Sequence, residues 1–111
     1  MTDEDVLRER IKGLVSAGKY RIRIHAVRHM IEEGFIETNI IEAVTGSSKI
    51  IENYSDDNRC LILGTFNFTK TITSPLHVVC DYTITDLVDI VTAYIPQKPW
   101  WVTPTKRGKI K

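Results

Sequence analysis

The sequence predicts an α+β fold: an antiparallel sheet of about four strands, packed on one face by two to three N-terminal helices. Three observations predict it. Apolar residues recur at helical spacing up to about Val44, and at strand spacing from Lys49 to Ile95. The strand-like runs are joined by short polar turns, and short turns can only join antiparallel neighbours. Helices and strands occupy separate stretches rather than alternating, which is the α+β pattern.

The first helix is expected over Asp3–Ala17. Leu7, Ile11, Leu14 and Val15 repeat at helical spacing, acidic residues gather at the start, and Gly18 is a stop signal. Tyr20–Ile24 alternates with period two and reads as a short strand with Arg21 and Arg23 on one face. A second helix, His25–Glu33, carries Val27, Met30 and Ile31 and stops at Gly34. A third, Thr38–Val44, has Ile36, Ile40, Ile41 and Val44 as its apolar face and ends at Gly46. Lys49–Tyr54 is the next strand, followed by the turn cluster Ser55-Asp56-Asp57-Asn58. Cys60–Phe66, Leu76–Tyr82 and Val88–Ile95 complete the sheet, with Asn67–Ser74 as a hairpin connection. Val44, Ile51, Leu61, Leu63, Val79 and Val91 are the expected core. The chain is expected to be one domain over 1–111: an N-terminal helix (1–18), a core (19–101) and a basic tail (102–111). Of Trp100 and Trp101, one is expected to pack on the sheet and the other to be exposed.

Composition narrows the function classes. With 42% hydrophobic and 26% charged residues the chain is neither disordered nor a disulfide scaffold. The acidic start lacks an apolar leader and no run is long enough to span a membrane, so a cytoplasmic protein without membrane contact is expected. Cys60 and Cys80 lie in apolar strands, read best as reduced core residues. A formal charge of +1 argues against nucleic-acid binding by bulk charge and leaves only a local patch.

Such a patch exists around His25. Lys19, Arg21, Arg23 and Arg28 surround it, and arginine matches phosphate oxygens bidentately; the alternative is an ordinary solvated face. His25 and His29 share a helix face, a spacing that can ligate zinc with a third group such as His77 or Asp81. The metalloprotease signature needs Glu after the first His, where Ala26 stands, so no bound metal and no cofactor is expected. His25 at a strand-to-helix junction can alternatively cap backbone N–H groups. His77 is a lone polar residue in an apolar strand, either paired in the interior or placed for chemistry. Tyr94 is either aromatic cover at the sheet edge or a phenol donor to a phosphate. Gly34 and Gly64 stand alone and read as cap or bulge positions.

A set of short motifs falls in a specific order. It runs His25-Ala26-x-x-His29-Met30-x-Glu32-x-Gly34, Ile40-Ile41-Glu42-Ala43, Ile50-Ile51-Glu52-Asn53-Tyr54 and Cys60-Leu61-Ile62-Leu63-Gly64. Pro75-Leu76-His77-Val78-Val79, Thr92-Ala93-Tyr94-Ile95-Pro96 and Trp100 follow. This pattern, over about Tyr20–Trp101, resembles the domain-of-unknown-function family DUF4258, itself grouped with RelE/ParE-like and BrnT-like toxins. The resemblance implies a β-α-α-β-β-β core with an added first helix, and a toxin-like, metal-independent endoribonuclease with RNA and a small acidic antitoxin as partners. Two positions depart from the family pattern: His29 and Glu33 stand where arginines are usual, which keeps an inactive relative among the readings.

Metal-free RNA cleavage needs a base for the 2′-hydroxyl, an acid for the 5′-oxygen and cations on the developing phosphorane. His25, His77 and Tyr94 are the candidate catalytic residues, and Arg23, Arg28 and His29 the candidate phosphate-binding ones. Two other classes compete: a non-enzymatic protein-interaction module, and a zinc-dependent hydrolase.

Overall fold

The computed structural model describes residues 2–97, 101–103 and 105–107. The element order is α1 (Asp3–Ser16), β1 (Tyr20–Ile22), α2 (Ile24–Glu33), α3 (Glu37–Thr45), β2 (Lys49–Tyr54), a 3₁₀ turn (Ser55–Asp57), β3 (Arg59–Asn67), β4 (Thr73–Asp81) and β5 (Val88–Tyr94). A short hairpin, β6 (Trp101–Thr103) with β7 (Lys106–Arg107), follows. The expected placing of Trp100 and Trp101 concerns side chains outside the described residues. Among the described residues no helix is long and apolar enough to cross a membrane.

Local chemistry sets the helix ends. Thr2 caps α1 through its Oγ1, which accepts the Asp5 N–H, while Asp5 accepts the Thr2 N–H in return. Gly34 ends α2 at φ 82°, a left-handed position that costs glycine nothing. Asn39 accepts the Ile36 N–H at the start of α3.

The main sheet has five strands in the order β1-β5-β4-β3-β2. The four later strands pair antiparallel as expected, but β1 joins as a fifth, edge strand parallel to β5. Turn lengths fix the direction of β2 to β5 only; two helices separate β1 from them, and its direction follows from where the helices return the chain. After α1 the core therefore reads β-α-α and then four strands.

The helices cover one face. Cys60, Ile62, Phe66, Leu76, Val78, Cys80, Val88, Ile90 and Ala93 of the sheet meet Ile11, Val15, Ala26, Ile40, Ala43 and Val44 of the helices. Burial pushes the Cys60 thiol up to about 12 and raises the Cys80 thiol well above its ordinary value, so both stay protonated packing groups. Of the expected core, Val44 and Leu61 are buried, while Ile51, Leu63, Val79 and Val91 are half-buried. Ile51 and Val91 sit where the pairing slips by one residue, so strand alternation misplaces them. Leu61, Leu63 and Val79 belong to the face away from the helices.

Gly64 is neither cap nor bulge. It keeps register opposite Leu76, and a Cβ there would lie 2.0 Å from the Ala43 carbonyl oxygen. The missing side chain lets α3 rest directly on the backbone of β3.

A histidine-lined seam as candidate functional site

β1 ends at Ile22, opposite Ile90, so the outer edge of β5 beyond Ile90 has no strand beside it. The chain turns there into α2, anchored by Arg23 N–H donating to the Ile90 carbonyl at 2.9 Å. α2 then runs along the edge of β5. His25, His29 and Glu33 recur every four residues and so form one stripe. At the far end Glu33 Oε1 accepts the Ile95 N–H at 2.7 Å, closing the bare strand edge with a side chain.

The stripe meets two residues of the sheet. His29 lies with its ring 6.0 Å from that of Tyr94. Tyr94 pairs across the strands with His77; their rings meet edge-on at 5.2 Å, with His77 Nδ1 3.3 Å from the Tyr94 hydroxyl oxygen. His29, Tyr94 and His77 thus meet at one seam, and His25 stands one helical turn before His29 on the same face of α2. His29 Nδ1 is 2.5 Å from Glu33 Oε2, a carboxylate–imidazole pair that fixes the ring and leaves Nε2 outside the pair. Glu33 is itself held by the Ile95 N–H, so the pair is supported from the backbone.

The candidates from sequence divide as follows. His77 and Tyr94 come together, and His29 joins them. His77 has no solvent exposure, which suits it to holding the Tyr94 phenol more than to meeting a substrate. His25 is exposed in the first turn of α2 and caps no backbone group; it lines a separate cavity of about 620 Å³ with Arg21, Arg23, Arg59, Asp81 and Asp89. Arg28 is exposed and makes no ion pair among the described residues. Glu33 entered the sequence reading only as a departure from a family pattern. Its i,i+4 spacing from His29 was the signal for their pairing.

The cavity beside His25 is a partly neutralised basic patch. Arg21 faces Asp89 across β1 and β5 and grips it bidentately at 2.8 and 2.9 Å, which raises the guanidinium's affinity for its proton. Arg59 holds Asp81 through one hydrogen bond, Nε to Oδ2 at 3.0 Å, across β3 and β4. Arg23 reaches Asp89 only at 3.7 Å and is the cation left with charge to spare. Among the described residues no three His, Cys, Asp or Glu side chains cluster as metal ligands would.

Asp81 gives the fold an acid dependence. Burial raises its carboxyl, but the Thr83 hydroxyl and N–H and the Arg59 guanidinium outweigh burial and hold it below its ordinary 3.8. A depressed folded-state value stabilises the protein above the unfolded value and is lost as pH falls through the folded one. Asp81→Asn is expected to flatten the fall of melting temperature below about pH 4, where the parent loses the Arg59 pair. A slope unchanged by the substitution would contradict this.

The fold and seam define a class: a small helix-covered, mainly antiparallel sheet domain with a histidine–carboxylate pair at one strand edge. The family model "Domain of unknown function (DUF4258)" matches residues 22–95, two thirds of the chain, and the protein belongs to that family. No match was found among curated proteins or among solved structures.

Proposed function

We propose that the protein is a cytoplasmic, metal-independent endoribonuclease whose reaction centre is the α2–β5 seam. The observation that supports this most is the stripe itself: two histidines one helical turn apart, one oriented by a carboxylate, with surplus arginine charge beside them. Side chains at that spacing lie about 5–6 Å apart at Cβ, close enough to flank one phosphodiester.

In this reading His29, oriented by Glu33, takes the 2′-hydroxyl proton through Nε2. The 2′-oxygen attacks phosphorus, the bond to the 5′-oxygen breaks, and protonated His25 gives that oxygen its proton. The products are a 2′,3′-cyclic phosphate and a 5′-hydroxyl. Arg23 and Arg28 stabilise the charge gathering on the phosphoryl oxygens, and Tyr94, held by buried His77, borders the site. The departure His29 from the family's usual arginine then exchanges a charge for a base.

The test is cleavage of an RNA oligonucleotide in excess chelator, beside the same oligonucleotide with a single 2′-deoxy nucleotide at the cut position. Cleavage of the first with a cyclic-phosphate end, and none of the second, is the expected result. Equal cutting of both, or cutting of neither, overturns the proposal.

A specific observation favours a protein-interaction module as the second reading. Ile36, Phe68 and Ile72 are all exposed and lie around the Gly34 corner, where a Cβ on Gly34 would be 3.8 Å from the Phe68 ring. Exposed apolar groups brought together in this way mark contact surfaces.

A further inference from the structure

We infer that a second cavity, at the opposite edge of the sheet, is a binding site for a phosphate-class oxyanion. It measures about 500 Å³ and lies between α1, the turn after α3 and the outer edge of β3. Arg8 and Lys12 reach it from α1, Ser47 and Ser48 from the turn, Lys49 from the start of β2, and Gly64 forms part of its floor. β2 begins at Lys49 opposite Leu63, so among the described residues β3 beyond that point has no strand on its outer side and the cavity stays open.

Among the described residues three cations line this cavity and no carboxylate does. Among the described residues neither Lys12 nor Lys49 is ion-paired. Arg8 is fixed: Nη1 donates to the Ser48 carbonyl at 2.8 Å and Nη2 to Glu9 Oε1 at 2.9 Å. Its Nε is buried and has no hydrogen-bond partner among the described residues. Two lysines without an ion partner and a fixed guanidinium around one open cavity are a set that an oxyanion matches best.

The cations are not there to serve the end of α3. The carbonyls of Ile41, Glu42 and Val44 are already taken by Thr45 Oγ1, the Gly46 N–H and Ser48 Oγ. Among the described residues no carboxylate is paired with Lys12 or Lys49, which leaves both free to meet an anion. Two of the three cations stand on α1, which precedes the family-matched residues 22–95. The site thus belongs to this chain's added helix docked on the family core.

Two sources offer the same chemistry: a free phosphate or phosphorylated small molecule, and a backbone phosphate of RNA. Lys49, Leu63, His77 and Tyr94 are successive partners across the sheet. Lys49 therefore stands about 14 Å, three strand spacings, from the Tyr94 end of the seam.

The experiment is an NMR titration of the full chain with inorganic phosphate, followed at the Ser47, Ser48 and Lys49 amides and the Arg8 Nε–H. The expected result is saturable shifts at these groups, with affinity falling roughly tenfold in each of Lys12→Gln and Lys49→Gln, the loss of one charge-assisted contact. Thermal melts of both variants confirm that they fold. Shifts that never saturate, or affinities unchanged in the folded variants, overturn the site. A second titration with a short single-stranded RNA separates the sources. Displacement of phosphate from these resonances assigns the site to nucleic-acid phosphate, and shifts confined elsewhere assign it to a free phosphorylated ligand. Neither result depends on whether the seam cleaves RNA.

Discussion

His29→Ala is expected to lower RNA cleavage by roughly 10²–10⁴-fold, the usual range for a positioned acid or base. Glu33→Gln is expected to fall in the same direction and by less. The amide still fills the space and can meet one partner, but it no longer orients the imidazole through a charged acceptor. His25→Ala removes the proposed acid and should match His29→Ala in size. Tyr94→Phe keeps the ring against His29 and His77 and removes only the hydroxyl, so its effect should be the smallest. His77 behaves differently from all of these. It is wholly buried, and truncation to Ala leaves a cavity and unpairs polar groups, so a loss of about 1–3 kcal/mol in stability accompanies any loss of activity. Melting curves beside rates separate the two kinds of effect: His25 and His29 variants should melt near the parent, His77→Ala well below it.

Gly64→Ala is expected to be the most damaging single-methyl change in the fold. The added Cβ would stand 2.0 Å from the Ala43 carbonyl oxygen and 2.6 Å from its carbonyl carbon, both backbone atoms that no rotamer change can move. Relief requires lifting α3 from β3, which separates Ile40, Ala43 and Val44 from Ile62, all buried at that contact. Overpacking costs about 1–3 kcal/mol and sometimes more. With backbone on both sides, the upper end, at least about 3 kcal/mol, is expected. For a domain near this size that lowers the melting temperature by roughly 10–20 °C. Gly13→Ala is the control: nothing lies within 4 Å of its Cβ, and the residue is exposed inside α1. That change should stabilise by roughly 0.5–1 kcal/mol. Equal melting temperatures for the two variants would contradict the close approach of α3 to β3.

The elements were legible in the sequence because each carries its own period and its own stop. Gly18 and Gly34 end helices with positive φ, and the Ser55–Asn58 cluster turns the chain, with Asn58 at φ 54°. What period alone could not give was pairing. β1 has only three residues and is separated from β5 by most of the chain, so nothing local records that they lie parallel. Alternation failed at Ile51 and Val91 because a bulge shifts the face by one residue without any mark in composition. Gly64 was visible as an isolated glycine, but its reason, the Ala43 backbone, is a tertiary contact.

The site was legible in its ingredients and not in its partition. His77, Tyr94 and the helix histidines were identified as chemistry-bearing types, and three of them meet. Which histidine is sealed inside the protein and which is open depends on cover from elsewhere in the fold. The His29–Glu33 pair was readable from i,i+4 spacing alone, yet carried little weight without Ile95 and Tyr94 to show which way that helix face points.

The pH–rate profile of RNA cleavage in chelator, for the parent, His29→Ala and His25→Ala, tests the central claim most directly. A base and an acid on one helix face predict a bell-shaped profile for the parent. His29→Ala should lose the acid-side limb, because no base remains to be deprotonated, and His25→Ala the alkaline-side limb. No cleavage by the parent at any pH, or both limbs intact in both variants, would contradict the assignment of the α2–β5 seam as the reaction centre.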